Sequence, residues 1–161
     1  MKAFRAALKG LLRVLSSPVL VLWLWHLPGP YDAALRSGVL HDLEHTLFFG
    51  AALLFWWPAL TPGPRLGAAP HPVARVAYLV LGAVQSTALG LLLSTRGEGL
   101  YPTYATTAPA WGLTPAEDQA WGGVLMWGVG SAVDMAAVLY VVGNVLTARA
   151  FLDRSVPVRD N

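Results

Sequence analysis

Three apolar runs, His41 to Leu60, Val73 to Thr95 and Gln119 to Thr147, constrain this chain more than anything else in it, because each is long enough to cross about 30 Å of hydrocarbon. Inside that layer no water reaches backbone N–H and C=O groups, so each run must close its hydrogen bonds within itself as a helix. The remainder does not favour a soluble domain. Of 161 residues, 55% are hydrophobic and 12% charged, too few charges to coat a globular surface. The sequence therefore predicts an all-α fold, an integral membrane bundle of about four transmembrane helices. It reads as a single transmembrane helical domain over 1–161, with helices near 5–27, 41–60, 73–95 and 116–147.

The first crossing is the least obvious. Val14 to Leu27 is apolar but short, and spans only if the helix starts back among Ala3 to Leu12, with Lys9 and Arg13 reaching for the interface. A basic start ahead of an apolar core also resembles a signal peptide, but no small-x-small cleavage site follows the core. Trp23, Trp25 and His26 come instead, ahead of a helix-ending Leu27-Pro28-Gly29-Pro30. A retained helix with two interfacial tryptophan anchors is expected.

With four crossings, nine of the eleven Lys and Arg residues fall on one side: Lys2, Arg5, Lys9, Arg13, Arg65, Arg75, Arg149, Arg154 and Arg159. Only Arg36 and Arg96 face the other way, so the positive-inside rule puts both termini in the cytoplasm. Asp32, Asp42, Glu44, Glu98, Glu117 and Asp118 collect at the outer face. The net charge of +2 thus conceals a dipolar distribution, which reports topology and gives no reason to expect nucleic acid. The absence of cysteine excludes disulfides, thiolate metal sites and cysteine nucleophiles. The connector from Thr61 to Pro72 is too rich in proline to continue a helix. In the loop from Arg96 to Thr114, Tyr101, Tyr104 and Trp111 are expected along the headgroups.

Against this background His41-Asp42-Leu43-Glu44-His45 is unusual, since it crowds imidazoles and carboxylates into the start of an apolar helix. Side chains four apart share a face, so His41 and His45 can address one ion, with Glu44 beside His41. His26 closes the first helix, Tyr101 follows the third and Asp118 opens the fourth, so separate helix ends deliver polar groups to one outer layer. The candidate metal ligands are His26, His41, His45 and Asp118, with Glu44, Tyr101 and Met126 as accessories. Met126 lies two turns below Asp118, with Gly122 leaving room between them. Imidazole and carboxylate suit zinc, copper or iron, whereas cuprous ion prefers sulfur.

Simpler roles compete for several of these residues. Thr114-Pro115-Ala116-Glu117 reads as a capping box with proline in the first turn. Glu44 and Asp118 also complement a helix N-terminus, and Met126 alone fits core packing. His71, between prolines, reads as an ordinary loop residue. Deeper in the membrane Asp134 is costly, and is expected to face the bundle interior, either protonated and hydrogen-bonded to Gln85 or as part of a proton or ion pathway. Gly82, Ser86 and Gly90 form a small-residue row that lets another helix approach closely. His41 to His45 also matches H-x-x-E-H, in which two histidines bind zinc and the glutamate activates water. A chain so committed to lipid leaves little room for a substrate cleft or third ligand, so a non-enzymatic role is expected.

Five stretches, in order, carry a family resemblance. They are Trp25-His26-Leu27-Pro28 with Tyr31-Asp32-Ala33-Ala34-Leu35; His41 to His45; Leu54-Phe55-Trp56-Trp57-Pro58; Leu100-Tyr101-Pro102-Thr103-Tyr104; and Glu117 to Trp127. Together they resemble the C-terminal half of the CtaG family of cytochrome c oxidase assembly factors, over roughly Pro18 to Leu146. The resemblance implies a multi-pass protein of a prokaryotic plasma membrane. It also implies a copper-linked role for His26, His41, His45 and Asp118, at a site facing the periplasm or exterior. The implied partner is a membrane subunit of a haem-copper oxidase, or another assembly factor, within the lipid bilayer. Family members usually have further membrane helices, including a His- and Met-rich one that this sequence does not contain. Two other readings stand beside it: a small membrane cytochrome holding haem b through His26 and His45, and a ligand-free protein whose outer ends dock a subunit.

Overall fold

The computed structural model describes the backbone of residues 2–60 and 71–155, and the side chains of 17–60 and 71–147 with a few before them. The connector 61–70, the tail beyond 155, and the side chains of Lys2, Arg13, Arg65, Arg149 and Arg154 lie outside the described residues. All described regular structure is helical. Helix α1 covers Lys2–Trp25, α2 Pro28–Arg36, α3 Gly38–Leu60, α4 Pro72–Thr95, α5 Tyr104–Thr107, and α6 Pro115–Ser155, with a 3-10 turn at Ala108–Trp111 before α6.

Three helices are long and apolar enough to cross a membrane: α3, α4, and α6 from Pro115 to Thr147. Their lipid-facing sides stay apolar and exposed, as at Val84 on α4 and Val129 and Leu139 on α6. At 41 residues, α6 is about 60 Å long, twice the hydrocarbon thickness.

Two elements differ from the sequence reading. Pro28-Gly29-Pro30 does not merely end a helix. Its prolines sit in the first turn of α2, where a missing N–H costs nothing. Helix α3 begins three residues earlier than expected, at Gly38, so His41 and His45 stand within its first two turns. The start of α6 follows the capping box. Thr114 Oγ1 accepts from Glu117 N at 3.2 Å, and Glu117 Oε2 accepts from Thr114 N at 2.8 Å. His71 caps α4, its Nδ1 accepting from Val73 N at 3.3 Å.

The α4–α6 seam is the most extensive packing in the bundle, and small residues create it. Gly90 and Gly123 bring the two backbones so close that a Cβ on Gly123 would stand 2.6 Å from both Gly90 O and Ser94 N. Thr87 Oγ1 and Ser131 Oγ, 3.3 Å apart, fix the antiparallel register. Gly82, from the same row, faces a different neighbour: the Phe55 ring of α3 occupies its open side.

Helix α1 packs on α3 and α4, so α1 and α6 flank α4 without extensive contact with each other. Two apolar clusters close the bundle. Ala59, Ala74, Tyr78, Leu79, Ala137 and Val141 join α3, α4 and α6 at one end. Leu89, Leu93 and Tyr101, with Leu22, Trp23, Tyr31 and Met126 against them, close the other. At the first end, Arg75 Nε donates to Ala59 O at 2.9 Å, placing a cation on the carbonyl end of α3.

Trp23 and Trp25 are not interfacial anchors. Trp23 Nε1 donates to Gln85 Oε1 at 3.0 Å, and Trp25 is buried. Gln85 lies ten residues before the end of α4 and α1 runs only two residues past Trp23, so α1 stops roughly 12 Å short of that end, and His26 is half-buried there.

Candidate functional site

Where α1 stops short, the chain leaves two adjoining cavities, and His26 lines both. The smaller, of about 310 Å³, is bounded by His26, Tyr31, Glu44, His41, His45 and Phe48. The larger, of about 750 Å³, runs between α1, α3, α4 and α6, and takes in Asp118, Gly122, Met126, Gln85 and Asp134. The expected ligands therefore do not form one cluster. His26, His41, His45 and Glu44 share the small cavity, while Asp118, Met126 and Tyr101 belong to the large one. Among the described residues, no three His, Asp or Glu side chains converge closely enough to hold an ion.

The helix spacing does unite one pair. The imidazoles of His41 and His45 lie with ring centroids 4.4 Å apart on the exposed edge of the small cavity, close enough for both to reach one ion. Glu44, on the inward face of the same turn, is buried at 6% exposure and has no hydrogen-bond partner among the described residues. His26 presents a single free nitrogen. Its Nδ1 lies 2.7 Å from Leu22 O, and a carbonyl can only accept, so Nδ1 carries the proton and Nε2 keeps its lone pair.

A tyrosine and carboxylate frame holds this end in shape. Tyr31 stacks on Tyr101 at 4.0 Å, its hydroxyl lies 3.1 Å from that of Tyr104, and Tyr101 Oη donates to His26 O at 3.0 Å. Tyr101 is thus folded inward at 4% exposure and not laid along the headgroups, whereas Trp111 is 84% exposed. A tyrosine ring can stack in the bundle while its hydroxyl reaches the carbonyl freed by the end of α1, which the surface cannot offer.

Two residues central to this frame were not candidates from sequence. Asp32 is buried. It accepts from Thr103 N at 2.8 Å and forms an ion pair with Arg36, so α2 is pinned to the loop ahead of α5. Thr103 first, and then the Arg36 charge, holds its carboxyl below the ordinary carboxylate range. Gln119 is also buried. Its Oε1 accepts from Leu100 N at 2.6 Å, and its Nε2 donates to Leu93 O at 3.1 Å and Glu98 O at 3.4 Å, tying the end of α4 to the start of α6. The sequence signals were present but weak: Asp32 and Arg36 at helical i,i+4 spacing, and an amide two residues past a capping box.

The mid-membrane pair also differs from expectation. Gln85 spends its carbonyl on Trp23 and does not bond Asp134, which lines the large cavity with no hydrogen-bond partner among the described residues. The indole reaches Gln85 first because α1 crosses α4 at that level.

A helical bundle with three membrane-length spans and a polar, histidine-bearing recess at one end defines a multi-pass membrane protein. The sequence sharpens this. The model of the cytochrome c oxidase caa3 assembly factor family (Caa3_CtaG) matches residues 1–148, and the chain belongs to that family. The match includes α1, beyond the Pro18 at which the resemblance began. No curated protein and no solved structure matches the chain.

Proposed function

We propose that this chain is a non-enzymatic assembly factor that takes copper as cargo at the small cavity and presents it to a membrane subunit of a haem-copper oxidase. The observation that carries the reading is the His41–His45 pair at the open edge of a recess whose inner wall holds His26 and buried Glu44, in a member of an oxidase assembly family. Two imidazoles exposed at an edge suit exchange of a metal, unlike a closed four-ligand structural site. Glu44 and His26 Nε2 lie behind them as further donors if the cargo moves inward. Asp118 and Met126 line the neighbouring cavity, and serve a second position or the partner's docking.

The charge bias supports four crossings with α1 as the first, both termini in the cytoplasm of a prokaryotic cell and the recess facing outward. Isothermal titration of purified protein with copper, wild type against the double variant His41→Ala and His45→Ala, tests the cargo role. Affinity should fall at least about tenfold, or about 1.4 kcal/mol. Equal affinity would remove the metal from the proposal and leave subunit docking. A Soret band after haem-replete expression would replace copper with haem.

A further inference from the structure

The large cavity extends far beyond the histidine recess, and the walls of its deeper part describe a ligand. It is bounded mainly by apolar side chains, among them Leu22, Phe55, Trp56 and Leu125, and it extends between Asp118 and Asp134. Those residues are sixteen apart on α6, so the space runs about 24 Å along the helix. Near its deep end are two polar groups with unused capacity. Asp134 is only 9% exposed and has no hydrogen-bond partner among the described residues. Gln85 gives its carbonyl to Trp23, while its Nε2 donates to nothing among the described residues. The register set by Thr87 and Ser131 puts Asp134 level with residues 84 and 85 of α4, so a donor and a carboxyl meet at one depth. An unpartnered carboxyl in an apolar wall is costly unless something bonds it.

The dimensions choose the occupant. The cavity holds about 750 Å³, in the range of pockets for small ligands. We infer that it binds a single-tailed, uncharged lipid amphiphile whose hydroxyl accepts from Gln85 Nε2 and donates to the Asp134 carboxyl, its tail lying along α6 past Gly122. A carboxylate headgroup is disfavoured beside Asp134, and among the described residues no Lys or Arg lines the cavity to offset it. Gly122 is an open point in the wall, with nothing within 4 Å of where its Cβ would be, which leaves the passage clear.

Trp56 and Trp121 line the same space and report on it directly. Protein in detergent is titrated with a dibrominated octadecanol, whose bromines quench tryptophan fluorescence on contact, and in parallel with the dibrominated octadecane that lacks the hydroxyl. Saturable quenching by the alcohol, at least tenfold tighter than by the hydrocarbon, is expected of the wild type. Gly122→Phe, which fills the passage, and Asp134→Leu, which removes the carboxyl, should each weaken alcohol binding at least tenfold. Equal quenching by alcohol and hydrocarbon in the wild type would overturn the inference, a comparison that needs no variant to fold. So would undiminished alcohol binding in a folded Gly122→Phe protein.

Discussion

Gly122 and Gly123 are neighbours in one helix, yet adding a methyl group to each should have opposite effects on stability. On Gly122 a new Cβ meets nothing within 4 Å, so the substitution to Ala changes only backbone freedom and gains up to about 1 kcal/mol of helix propensity. On Gly123 the same Cβ would stand 2.6 Å from Gly90 O and from Ser94 N, about 0.8 Å inside the 3.4 Å at which ordinary contact begins. Both obstacles are main chain, so no rotamer relieves them, and α4 and α6 must separate along their tightest stretch. Overpacking of this kind costs about 1–3 kcal/mol, and main-chain contacts on both sides place it in the upper half of that range. After the propensity gain, Gly123→Ala should lose about 1–2 kcal/mol net, and should fall about 2–3 kcal/mol below Gly122→Ala. At roughly 2–4 °C per kcal/mol for a chain of this size, the two variants should melt about 5–10 °C apart. Thermal unfolding in one detergent, followed by circular dichroism at the helix band, measures the difference. A Gly123→Ala protein melting at or above Gly122→Ala would refute the claim that backbone contact defines the α4–α6 seam.

Three further outcomes follow from the frame around the recess. The Asp32 carboxyl titrates in the folded chain below its unfolded value of about 3.9, so its tie to Thr103 and Arg36 is complete above that pH and is lost as pH falls through the lower folded value. Stability should therefore drop on acidification below about pH 4, and Asp32→Asn should flatten that part of the profile in an acid titration of melting temperature. Gln119→Leu leaves Leu100 N and Leu93 O without their partner in a buried place, and should cost about 2–4 kcal/mol in denaturant unfolding; a loss under about 0.5 kcal/mol would show that water replaces the amide. Tyr101→Phe keeps the stack on Tyr31 but removes the hydrogen bond to His26 O, so a loss of only about 0.5–1.5 kcal/mol is expected, whereas Tyr101→Ala should lose at least twice as much by the same measurement.

Sequence and structure divide this protein along a physical line. Whatever depends on local periodicity was legible in the chain: the apolar runs of α3, α4 and α6, the capping box at Thr114, the small-residue row on α4, and the His41–His45 pair, which shares a face because four residues make about one helical turn. Ordered motifs from Trp25 to Trp127 also carried the family. What the chain could not express is where each helix stops relative to its neighbours, since that depends on crossings between residues far apart in sequence. Because α1 ends before α4 does and crosses it at Gln85, Trp23 takes Gln85, Asp134 is left facing a cavity, and Tyr101 turns inward to the His26 carbonyl. Asp118 lines the larger cavity while His41 and His45 line the smaller, and His26 lines both. Periodicity sets which side chains share a face; only the packing of one helix against another sets their depth, and depth decides which polar groups meet.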